Sequence, residues 1–194
     1  MFWSDITIPG KPRLLVVDGS RNVEGWESEF CDRICNVLSR KEMELASDGP
    51  LRADRPQDVA DALLDQESFN CIFMIGHAGG PQTPEESKLS NFWDWLSNYE
   101  GMAPKLLTIC TCEDYDPDTS QSILTAKDSF AKFAIVPQSP LTPRVAGLFF
   151  MKFFTELDVH AADAITGQMV WFSCSKAREL LRKRHLSGEI GMRC

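Results

Sequence analysis

The chain has 194 residues, of which 43% are hydrophobic and 25% charged, which fits one globular domain with a sizeable core and excludes a disordered or fibrous chain. A formal net charge of -8 opposes a phosphate backbone, so no nucleic acid is expected as partner. No run approaches the roughly 20 apolar residues of a membrane span, and the opening MFWSDITIPGKPR lacks the charged and apolar regions of a signal peptide.

Residues 1–12 read as an N-terminal leader whose apolar Phe2 and Trp3 are free to dock, and 13–194 as one domain. Arg13 to Val17 (RLLVV) predicts a buried strand closed by Asp18-Gly19-Ser20. A helix follows with Trp26, Phe30, Ile34, Val37 and Leu38 on one face. Met43 to Ala46 is a weaker strand, and Pro56 opens a short helix carrying Val59, Leu63 and Leu64. Cys71 to Ile75 (CIFMI) is the second strong strand and runs into Gly76-His77-Ala78-Gly79-Gly80. Leu89, Phe92, Trp93 and Leu96 mark an amphipathic helix. Leu106 to Thr111 is the third strong strand and runs into Cys112. An acidic loop, a helix around 123–130 and a strand over 133–137 come next. Helices over about 143–157 and 161–184 close the chain. The second of these collects Lys176, Arg178, Arg182, Lys183 and Arg184 toward its negative dipole end.

Apolar strands alternating with helices predict an α/β fold, a three-layer sandwich with a mostly parallel central sheet covered on both faces. In such sheets functional groups gather in the crevice at the carboxyl ends of the strands. His77 and Cys112 stand at two such ends, on successive strong strands.

A thiol becomes a nucleophile when a nearby base favours its thiolate, and an imidazole can do this and then protonate a leaving amine. Gly79-Gly80 leaves room for a substrate backbone. Backbone amides of Ala78, Gly79 and Cys112 are candidates to hold a tetrahedral oxyanion. Cys110 shares a strand face with Cys112 but lies farther from the loop, so it reads as a buried packing thiol and Cys112 as the nucleophile.

The segments FMIGHAGG and LLTICTCED resemble the two active-site strands of the CHAT family, the caspase-like cysteine peptidases related to separase. The tail FAIVPQSPLTPRVAGLFFMKFFTEL, continuing through AADAITGQMVWFSCSKARELL, is similar to that family as well, so the likeness runs from about Arg13 to Leu181. It implies a caspase-like fold with flavodoxin-like strand order, His77 as general base and Cys112, followed by Glu113, as nucleophile. Two departures stand out: Ala78 occupies a position where the family has glycine, and 185–194 shows no clear extra strand.

Other readings of these residues are poorer. His77, Cys110 and Cys112 lack a fourth zinc ligand at recognisable spacing. Asp114, Asp116 and Asp118 open like a calcium loop but lack its glycine and closing glutamate. Cys31 and Cys35, one helical turn apart, read as packing. Asp18-Gly19-Ser20 makes no phosphate cradle, which counts against a flavodoxin-like small-molecule binder, and no Gly-x-Ser-x-Gly elbow is present.

The expectation is therefore a cysteine endopeptidase acting on a restricted protein or peptide target, with no metal or organic cofactor. Asp18, Glu113 and Asp114 would favour basic substrate residues. Control would come from a regulatory partner protein, a region outside this sequence, or the N-terminal leader. The seven cysteines, odd in number and without framework spacing, point to reduced thiols in the cytoplasm. The alternative is a catalytically inactive caspase-like interaction or regulatory module.

Overall fold

The computed structural model describes residues 6–19, 26–41, 43–52, 61, 69–76, 105–111, 131–137, 142–184, 186 and 192–193. Three apolar runs build the middle of a sheet: β2 (Arg13–Asp18), β5 (Cys71–Gly76) and β6 (Lys105–Thr111). Runs of this kind bury both faces of a strand, which suits a parallel sheet. β2 pairs with β5 from Leu14↔Cys71 to Asp18↔Ile75, and β5 pairs with β6 from Cys71↔Leu106 to Gly76↔Thr111, both parallel. β7 (Ala131–Pro137) continues the parallel array on the far side of β6.

Two short strands share the other edge of β2. β3 (Glu44–Leu45) lies against its first residues and β4 (Leu51–Arg52) against its last. Taking these two as one edge, the parallel strands run in the order second, first, third, fourth, fifth, the flavodoxin-like arrangement of open α/β sheets.

The pleat divides the core between two faces. Leu14, Val16, Cys71, Phe73, Ile75, Leu106 and Cys110 join one cluster with the helices α1 (Trp26–Ser39), α2 (Pro143–His160) and α3 (Gly167–Lys183). The alternating residues Leu15, Val17, Ile72, Met74, Leu107 and Ile109 are buried as well, so the sheet is covered on both sides.

Within the helix layer α2 sits between α1 and α3. It starts where Thr142 caps the amide of Val145 and Pro143 occupies the first turn, a position where the missing proline N–H costs nothing. Its Phe150 and Phe154 meet Phe73 of β5 edge-on, with centroids 4.8 and 6.0 Å apart, and Phe30 of α1 meets Phe73 from the other side at 6.0 Å. A Cβ on Gly147 would stand 3.2 Å from the Phe30 ring, so glycine lets α1 and α2 close on each other there.

Four features depart from the sequence reading. Within the expected leader, β1 (Thr7–Pro9) pairs antiparallel with β8 (Ala164–Thr166), and Ile8 and Ile165 are fully buried. Because 164–166 is extended, the last helix begins at Gly167 rather than near 161, with Thr166 as its cap. β4 was not expected at all. Finally β9 (Met192–Arg193) adds an antiparallel strand beyond β7, in the tail where no strand was expected. The helices expected around 89–96 and 123–130 lie outside the described residues, as does all but helical Asp61 of the one opened by Pro56. Among the described residues no helix is long and apolar enough to cross a membrane.

Candidate functional site

The carboxyl edge of the sheet is assembled from the ends of β2, β5 and β6. Asp18 is paired with Ile75, and Gly76 with Thr111, so the three strands finish nearly level. Beyond the last β2 residue, the Gly19 amide still donates to the Ile75 carbonyl at 2.8 Å, which carries the pairing into the loop. Thr108 Oγ1 donates to the Ile72 carbonyl at 2.7 Å inside the sheet, tying β6 to β5 below the edge.

Of the residues singled out from sequence, Asp18 falls within this described edge. His77, Ala78, Gly79, Cys112, Glu113 and Asp114 lie outside the described residues. Gly76 and Thr111 are the residues before His77 and Cys112 in the chain. Cys110 is fully buried in the core, where a packing thiol belongs.

Asp18 is 5% exposed. A carboxylate so deep in the fold requires hydrogen-bonded partners. Ser28, in the first turn of α1, donates to Asp18 Oδ2 at 2.6 Å. Arg52, the last residue of β4, donates through Nη1 to Asp18 Oδ2 and to Ser28 Oγ. Its Nη2 reaches Asp32 Oδ1 and Oδ2 at 3.1 and 3.0 Å. One guanidinium thus spans a buried carboxylate on β2 and an exposed one on α1. Partial burial works against the Arg52 charge, but the Asp32 and Asp18 carboxylates outweigh it and hold the guanidinium above its ordinary range.

Nothing in the chain marked Arg52 and Ser28 in advance. They stand 34 and 10 residues from Asp18, and the strand that delivers Arg52 is two residues long, too short for any periodicity to show.

The described thiols are of the inert kind. Cys31, Cys35 and Cys71 are buried. Burial, with Asp18 and Cys35 nearby, pushes the Cys31 thiol far up. Burial together with Asp32 takes Cys35 up to about 11. Burial also raises Cys71, against the pull of the Lys105 charge. Among the described residues no group of His, Cys, Asp and Glu side chains is arranged to hold a metal ion.

The chain matches no family model, no curated protein and no solved structure.

Proposed function

We propose that the chain is a caspase-like cysteine endopeptidase in which Cys112 attacks the scissile carbonyl of a protein or peptide substrate and His77 handles the proton. The observation that carries this reading is the pairing of Gly76 with Thr111 on adjacent parallel strands. His77 and Cys112 are the next residues in the chain, so a base and a thiol each follow one of two strands spaced about 5 Å apart.

In the proposed cycle His77 takes the thiol proton and the thiolate attacks the carbonyl carbon. Backbone amides of Ala78, Gly79 and Cys112 hold the oxyanion. As the tetrahedral intermediate collapses the C–N bond breaks, and the amine departs with the proton from His77, leaving a thioester. Water then attacks the thioester, giving its proton to His77; the C–S bond breaks and the thiol is restored. The cycle uses no metal or organic cofactor. The acidic residues Glu113 and Asp114 next to the nucleophile favour basic substrate residues, and a regulatory partner protein supplies control. The five cysteines among the described residues are buried free thiols, which supports a reducing setting.

An irreversible peptidyl acyloxymethyl ketone tests the assignment. One equivalent should attach at Cys112, persist in Cys110→Ala, and be lost in Cys112→Ala and His77→Ala. Attachment at Cys110, or none in any variant, would overturn it. The second outcome favours an inactive caspase-like regulatory module, the reading to which Ala78 in place of the family's glycine points.

A further inference from the structure

Among the described residues, Arg52 is a charged group at the carboxyl edge that the proposed cycle does not use. Resting on the peptidase reading, we infer that Arg52 is a specificity-determining residue, which masks the Asp18 carboxylate and so sets the charge preference at the β2 corner of the crevice.

The placement comes first. Asp18 ends β2, one strand from the β5 end and two from the β6 end. At the usual spacing this is about 5 and about 10 Å, within reach of a substrate residue bound over the β5 and β6 ends. A carboxylate in that position would draw an ammonium or guanidinium group strongly, because its low exposure weakens screening by water.

The occupancy comes next. The Asp18 side chain is 4% exposed and that of Arg52 39%, so Arg52 is the member of the pair that meets solvent. It binds Asp18 and Asp32 at once. With Arg52 in place, Asp18, Asp32 and Arg52 together carry one net formal negative charge. Without it the described residues of the corner carry two, one of them buried beside Ser28. A basic substrate side chain therefore meets a site already filled by a group of its own kind. The short β4 strand delivers that group, and its pairing with β2 covers only Val17 and Asp18.

Arg52→Ala should convert the corner from masked to acidic. The ratio of kcat/KM for arginine over leucine reporter peptides should rise about tenfold, the size of one charge-assisted contact. A role confined to holding β4 would lower both rates and leave that ratio unmoved, which overturns the inference. Should Arg52→Ala fail to fold, Arg52→Gln keeps a donor toward Asp18 without the charge, and its ratio should rise in the same direction.

A second measurement does not depend on peptidase activity. Millimolar methylguanidinium should raise the Tm of Arg52→Ala above its effect on wild type, and the gain should vanish in Asp18→Asn/Arg52→Ala. Equal response of wild type and Arg52→Ala, or a gain that survives in the double variant, overturns the inference. Absence of turnover in every protein, with the methylguanidinium response intact, removes the peptidase reading and leaves the masked carboxylate standing.

Discussion

The two ends of the central strands each bury an ionisable side chain, and the described residues that meet it differ between the ends. At the amino end Lys105 is fully buried at the start of β6, where its Nζ donates to the Phe69 carbonyl at 2.8 Å and lies 4.1 Å from the centroid of the Phe69 ring. Beside it Asn70 works through backbone groups: its Oδ1 accepts from Arg13 N at 2.9 Å, and its Nδ2 faces the carbonyls of Pro9, Gly10 and Lys11 at 3.0–3.3 Å. Two amide hydrogens serve three acceptors, so one contact is shared. At the carboxyl end Asp18 is met by a full opposite charge, and that charge is half open to solvent. Among the described residues, the Lys105 ammonium meets the Phe69 carbonyl and ring. The carboxyl end holds an ion pair whose outer member is part-exposed.

Lys105 gives the sharpest way to break this contrast. Lys105→Ala removes a fully buried four-carbon stem and leaves the Phe69 carbonyl without its donor, so it should cost about 2–5 kcal/mol in urea unfolding. Lys105→Met keeps the stem and should recover most of that loss, because apolar replacements of buried charges are often near neutral. If Met costs as much as Ala, the charge itself holds the amino end and the two ends are alike.

The thiols offer a smaller effect that both ends should share. Cys71 lies at the amino end, and Cys31 lies under Asp18 with its Sγ 4.0 Å from the Val17 carbonyl. Burial raises both pKa values above the ordinary 9.0. The folded protein then keeps protons that the unfolded chain releases, so stability is complete below pH about 9 and falls as pH rises above it. Each thiol should contribute a slope of about 1.4 kcal/mol per pH unit, and Cys31→Ala and Cys71→Ala should flatten the alkaline limb equally. A flatter limb in only one variant would mark that end as the drier.

How much of this could be read from the chain follows from element length. β2, β5 and β6 announce themselves because buried parallel strands are continuous apolar runs, and α1 because its apolar residues recur at helical spacing. β1, β4, β8 and β9 have two or three residues each, too few to show a period. Ala164-Ile165-Thr166 suits a helix or a strand by itself, and pairing with β1 decides between them. At the candidate site, Asp18 was visible as an acid at a strand end. Its partner Arg52 was not, since the contact depends on how the chain returns to the β2 edge. Lys105 is hidden for a related reason: a lysine at a strand start is ordinarily exposed, and only the fold reveals the Phe69 carbonyl that receives it.

The smallest effect tests whether the carboxyl corner is itself divided. Arg52 Nη1 serves the buried Asp18, while Nη2 serves Asp32, whose side chain is 47% exposed. An exposed pair is weakened by water and salt, so Asp32→Asn should cost less than about 1 kcal/mol at low ionic strength and nearly nothing in molar salt. The Asp18 half is shielded, so Asp18→Asn should cost more and lose little of that cost as salt rises. The difference between the two salt slopes measures how far solvent reaches into the corner. Equal slopes would place Asp18 in contact with water, and Arg52 would then be one of two exposed bridges rather than the cover over a buried carboxylate.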